Sequence, residues 1–252
     1  MKRSLTSVLL LFATASAVHA DTVGDMKAAL ARLGGHSAIS AMYEVQRSRK
    51  SEGRFVNDNF TGRVTLELES DNAAFRLVFP QALLATINSE KTTNLRDPKK
   101  DTPTLNALWE VSPVSASEAL NFAPALLQMI DGAKVVGDRV ETVRREPGHI
   151  LVLDLPPPKP VSGVLEIGSV KIEKDRLTLW LGADGLPVSA EHIQVTKASA
   201  LIFKVEGQHT EKWIFRREND HLLRMRYESS TSGSGLGQQG TGSVIATLTP
   251  HI

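Results

Sequence analysis

Arg63-Val64-Thr65-Leu66-Glu67-Leu68-Glu69, followed across Asp71-Asn72 by Ala74-Phe75-Arg76-Leu77-Val78-Phe79, decides the fold class. Val64, Leu66 and Leu68 alternate with Arg63, Thr65, Glu67 and Glu69. A strand places successive side chains on opposite faces, so a period of two gives one wet and one buried face. That is the habit of antiparallel sheets rather than parallel ones, which are apolar on both faces. Phe75, Leu77 and Phe79 repeat the period and read as the returning strand of a hairpin. Upstream, Ile39, Ala41, Tyr43 and Val45 share one parity and predict an earlier strand over 40–49. The class is therefore mainly β with α contributions: a curved antiparallel sheet or half-barrel carrying a few covering helices.

The same alternation returns in the second half. Residues 135–144 and 150–155 predict a hairpin. So do 177–181 and 188–195, about Asp184-Gly185. Leu201, Phe203 and Val205 suggest another strand, Trp213 and Phe215 a further one, and 244–248 the last. In the run Leu223, Met225, Tyr227, the period places Arg224 and Arg226 on the wet face, as it does Arg63 and Arg76; either pair could bind an anionic headgroup, though such pairs are more often just the wet side of a sheet. Residues 229–243 are rich in Gly and Ser and predict a mobile hairpin loop.

Helices are expected at three places. Met26, Leu30 and Leu33 fall on one face and stop at Gly34-Gly35. Leu83, Leu84 and Ile87 suggest a turn or two, ahead of a loop over 94–103. Ser115 and Glu118 fit a capping box before Leu120, Ala123, Leu127 and Ile130, with a kink or restart at Pro124 and a stop at Gly132. The chain thus divides into residues 1–20 and one β-rich domain, 21–252, with a helical insertion around 81–132.

Residues 1–20 read as a signal peptide: Lys2 and Arg3, an apolar run through Val8–Phe12, and Val18-His19-Ala20 as a cleavage site. The expectation is export, to the periplasm or beyond, with cleavage after Ala20. The apolar run is shorter than the ~20 residues needed to span a bilayer, so no transmembrane segment is expected in the mature chain.

Composition narrows the chemistry. The 252 residues include no Cys, which removes thiol catalysis, Cys-based zinc and iron–sulfur sites. The formal charge of +1, with Lys2 and Arg3 in the leader, gives no basic surface for nucleic acid. Aromatic content of 5% argues against a sugar cleft paved with Trp and Tyr. The histidines form no metal-binding pair, and no Gly-x-Ser-x-Gly elbow or facing carboxylate pair stands out. Neither catalytic residues nor a cofactor are expected.

The order helix, long antiparallel strands, helical segments, hairpins resembles the half-barrel fold of the periplasmic lipoprotein carriers, the LolA/LolB-like superfamily that includes the sensor RseB and mycobacterial lipid carriers. Three stretches carry it: 25–33; 125–154, "ALLQMIDGAKVVGDRVETVRREPGHILVLD"; and 177–195, "LTLWLGADGLPVSAEHIQV". The resemblance implies a non-enzymatic periplasmic protein that binds or carries a hydrophobic or lipidated ligand. The inward parity set, Val64, Leu66, Leu68, Phe75, Leu77, Leu179 and Phe203, supplies candidates for a hydrophobic groove. The helix over 115–131, through Leu120, Pro124 and Leu127, is the candidate lid. Two alternatives stay open. These side chains could simply fill a core, and the protein could then be an envelope sensor or complex subunit working through a protein partner.

Overall fold

The computed structural model describes residues 22–53, 58–71, 74–97, 100–143, 146–157, 169–200, 203–235 and 238–251. The proposed signal peptide lies outside them. Helix α1 (residues 22–31) comes first. Strands β1 (Ile39–Gly53), β2 (Asp58–Ser70) and β3 (Phe75–Val78) follow. Next come helices α2 (Gln81–Arg96), α3 (Pro103–Leu108), α4 (Pro113–Leu120) and α5 (Ala123–Met129). The chain then runs through β4 (Lys134–Val143), β5 (Glu146–Asp154), β6 (Ser169–Leu181), β7 (Pro187–Ala200), β8 (Phe203–Glu218), β9 (His221–Gly235) and β10 (Gln238–Pro250).

All ten strands join one sheet in the order β3-β2-β1-β10-β9-β8-β7-β6-β5-β4, and every neighbouring pair is antiparallel. Only one junction, β1 with β10, joins strands far apart in sequence; every other neighbour follows directly along the chain. The mainly β class with covering helices is thus the observed one.

Register turns the period-two pattern into continuous rows. Val64, Val45, Ala246, Tyr227, Trp213, Ala190, Leu179 and Leu151 stand directly opposite one another across eight strands. Directly opposed residues share a face, so this row runs along the side that the helices cover. Two apolar clusters form on it. In the first, Met26, Leu30 and Leu33 of α1 and its exit meet Leu126 and Ile130 of the α5 region, above Leu151, Leu177, Leu179 and Phe215. In the second, Ala116, Ala119 and Leu120 of α4, with Ala107 of α3, lie above Tyr43, Val64, Leu66, Leu68 and Leu248. Burying each leucine stabilises the fold by about 2 kcal/mol. Tyr227 packs against both clusters.

The close seat of α3 on β2 depends on Gly62. A Cβ there would lie 2.5 Å from the Pro103 carbonyl oxygen and 2.6 Å from the Ala107 nitrogen, so a larger residue forces helix and sheet apart. In the β6–β7 turn, Gly185 takes φ +75°, as its Asp-Gly setting requires.

Four local expectations are corrected. First, 229–235 and 238–243 are parts of two paired strands and not a mobile loop. β9 bonds to β8 and β10 through Gly235, so ladder hydrogen bonds on both sides hold a composition that alone orders poorly. Second, 203–218 is one continuous strand rather than two. Third, α2 continues to Arg96, shortening the expected 94–103 loop; it buries no residue fully, so apolar periodicity gave little sign of it. Its Glu90 ties it to α3 by accepting from the Thr104 and Leu105 amides (3.1 and 2.9 Å). Fourth, the 115–131 helix starts earlier than Ser115, while the restart expected at Pro124 is present and makes two helices. The capping box is Ser112 with Ser115, and α4 ends at Leu120. Pro124 then sits in the first turn of α5, where its missing N–H costs nothing.

Candidate functional site

Between the two clusters the helical cover is open. A cleft of about 410 Å³ lies there, floored by Val45, Val244 and Ala246 and reaching Trp213 and Tyr227. Tyr43, Phe122 and Met129 continue its wall, and Trp109, 82% exposed, stands at its rim. The chain has two tyrosines and three tryptophans, and both tyrosines and two of the tryptophans line this one cleft. A scarcity of aromatics over the whole chain thus conceals their concentration at one place.

Arg224 forms one side. The strict period had placed it on the wet face; the structure buries it to 6% exposure. The cause is a β-bulge. Ile214 pairs with Arg226 but Phe215 pairs with Arg224, so Met225 is an extra residue that brings Arg224 beside inward-facing Phe215. Arg226 remains half-exposed, 2.6 Å from Glu228. The Arg224 guanidinium lies over the rings of Phe122 (5.2 Å) and Tyr227 (5.0 Å). It donates from Nη2 to the Ser115 carbonyl at 2.8 Å, with Glu118 3.8 Å from Nη1. Burial raises the Tyr43 phenol above its ordinary value, with Arg224 beside it acting the other way.

The other side is a hydrogen-bonded chain of titratable groups on the next register row, where His192 stands opposite Glu211. His192 Nε2 lies 2.6 Å from Asp175 Oδ1, and Nδ1 lies 3.0 Å from Glu211 Oε2. Gln194 donates to the second Asp175 oxygen (3.0 Å), and the Tyr227 hydroxyl donates to Glu211 Oε1 (2.8 Å). His209 approaches the same Glu211 oxygen at 3.5 Å. Burial pushes the His192 imidazole down, but its bonds to Glu211 and Asp175 outweigh that and hold it above the usual histidine value. For Glu211 burial pushes upward, and the bonds from His192 and Tyr227 pull it below the usual carboxylate range. Burial and Glu211 together raise the Tyr227 phenol.

Both His192 nitrogens face carboxylates, so the ring has no free lone pair with which to take a proton from a substrate. Among the described residues, no three His, Asp or Glu side chains converge to hold a metal ion, and no helix is long and apolar enough to cross a membrane.

Of the groove candidates, Val64, Leu66, Leu68 and Leu179 lie within the two clusters at 0–2% exposure. Phe75 and Leu77 are half-buried against the second. None of these lines the cleft. Phe203 opens β8, and its side chain lies outside the described residues. Of the lid candidates, Leu120 is 2% exposed in the second cluster, Leu127 is half-buried against the first, and Pro124 faces solvent. The break between α4 and α5 is bonded in place. Phe122 N–H donates to the Leu222 carbonyl (2.9 Å), and the Asn121 side chain joins the Leu33 carbonyl to the Leu222 amide.

Asp175 and Glu211 were not singled out from sequence, whereas Arg224 was, in a pair with Arg226 that could bind an anionic headgroup from the wet face. Glu211 left a trace, since it shares parity with Trp213 and Phe215. The bulge that turns Arg224 inward left none, because no glycine marks it.

A larger groove, about 670 Å³, lies on the opposite side of the sheet. Its row Val195, Gln208, Ser232, Thr241 and Lys50 is largely polar, and its charges are paired, as in Lys197 with Glu206 (3.6 Å). The smaller cleft holds the buried charge and the aromatic wall, and is the better candidate site.

No family model and no curated protein matches the chain. Among solved structures, one described as "Crystal structure of MucB in complex with MucA(peri)" aligns over 89% of this chain and 93% of that chain, at 10% identity and a TM-score of 0.23. A score at that level fixes neither fold nor function.

Proposed function

We propose that this is an exported, non-enzymatic protein that binds or carries a hydrophobic or lipidated ligand, in the cleft between α4 and α5. The observation that carries the reading is the cleft itself: an apolar floor of Val45, Val244 and Ala246, aromatic walls, and buried Arg224. Its volume of about 410 Å³ falls in the range of small-ligand sites. Hydrocarbon laid on that floor gains about 0.8 kcal/mol per buried methylene. The leader-like residues 1–20 and the resemblance to the half-barrel carriers support export to the periplasm. The test is native mass spectrometry after gentle purification, with extracted lipid analysed, beside titration with a fluorescent fatty-acid probe. An empty protein that also ignores the probe would end the proposal.

A second reading, an envelope sensor or complex subunit acting through a protein partner, is favoured by the dense packing of Val64, Leu66, Leu68 and Leu179. Cross-linking and recovery from envelope fractions separates the two. A stoichiometric protein partner with no bound lipid supports the subunit.

A further inference from the structure

We infer that the ligand of the α4–α5 cleft is a single-chain amphiphile ending in a carboxylate, which Arg224 receives in exchange for Glu118. The inference rests on the binding role proposed above and adds the chemistry of the ligand's polar end.

Arginine stays charged at any pH the folded chain meets, and a cation withdrawn from water needs a matched anion. Arg224 has no close one. The nearest carboxylate oxygen, on Glu118, is 3.8 Å away, beyond hydrogen-bond distance, on a side chain one-third exposed. The other acids of the lining are already engaged. Glu110 accepts Arg47 Nε at 2.8 Å, and Glu211 is held by His192 and Tyr227. The lining thus contains one loosely matched cation, its plane fixed between two aromatic faces. The fork of guanidinium donors fits the two oxygens of a carboxylate, where an alcohol offers one acceptor and no charge.

A second observation points to the same class of ligand. Trp213 lines the cleft, and its buried indole N–H has no hydrogen-bond partner in the structure. A buried donor left unpaired is costly, and an acceptor brought into the cleft beside it would relieve that cost. Trp213 and Arg224 flank the same rings, Phe122 and Tyr227. Size selects one chain. The cleft volume of about 410 Å³ holds roughly a dozen groups of water size, at ~30 Å³ each, which suits one alkyl chain and excludes a diacyl lipid.

The test is calorimetric titration of the full chain with laurate, dodecanol and dodecyltrimethylammonium, which share a tail and differ in the polar end. Laurate is expected to bind at least about tenfold more tightly than either of the others. Arg224→Met should remove that preference, bringing laurate and dodecanol to comparable affinity. Glu118→Gln, which leaves the arginine in place and tests the exchange even where Arg224→Met fails to fold, should tighten laurate several-fold and dodecanol not at all. Equal affinities in the unaltered chain, a laurate preference that survives Arg224→Met, or no response to Glu118→Gln would overturn the assignment to Arg224 and leave the cleft's binding role standing. Failure of all three compounds to bind would overturn both.

Discussion

At His192 the folded chain selects the protonated ring. Asp175 and Glu211 face its two nitrogens, Gln194 and Tyr227 hold those carboxylates, and His209 stands beyond Glu211. Because the folded value is raised, this contribution is fully present below histidine's ordinary value of 6.5, and it is lost as pH climbs through the raised value. Glu211 acts with the opposite sign. Its value is lowered, so its contribution is present above the ordinary carboxylate range and is lost as pH falls. Stability should therefore fall on both sides of a plateau. Replacing His192 with Gln should cost about 1–3 kcal/mol at neutral pH, flatten the alkaline arm, and weaken the acid arm as well, because Glu211 loses its bond from the imidazolium. Urea midpoints measured across a pH series check this, and equal alkaline slopes in the two proteins would refute it.

At the scale of elements, the alternating strands and the α1 face were legible because one side chain in two, or one face in three or four, carries the burial. What escaped was decided by hydrogen bonds rather than by apolar pattern. The Ser/Gly run of β9 and β10 is ordered by its neighbours' ladders, and α2 buries nothing fully. The start of α4 was misplaced by three residues because Ser115 reads as a cap in sequence, whereas in the structure it completes the box begun by Ser112. Ser112→Ala should then cost about 1 kcal/mol, seen as a lower melting temperature, whereas Glu118→Gln should leave the cap intact. An unchanged melting point for Ser112→Ala would contradict the box. Because α4 also supplies the Ser115 carbonyl to Arg224, fraying at this end reaches the cleft.

For the whole molecule, Val64, Leu66, Leu68, Phe75, Leu77 and Leu179, named from sequence by parity, pack on the covered face, but periodicity could not tell hollow from filled. That distinction depends on how far each helix sits above the sheet, which no periodicity records. A single substitution separates the possibilities. Leu179, fully buried under α1 and α5, should cost about 2–5 kcal/mol on change to Ala if it is core, measured by chemical denaturation. A loss well under 1 kcal/mol would mean that it faces open space. The candidate site itself was hidden for a related reason, since it lies where the two clusters fail to meet. The bulge at Met225 makes that seam sensitive to chain length. Strand alternation behaves like a two-letter reading frame, and the extra residue shifts it once, just ahead of the cleft. Deleting Met225 would remove the extra residue, and Arg224, then directly before Arg226, would keep its place opposite Phe215 on the covered face. The shortened protein would keep its sheet, as circular dichroism would register, and with it the preference for anionic ligands; loss of that preference would show that the bulge itself aims the guanidinium.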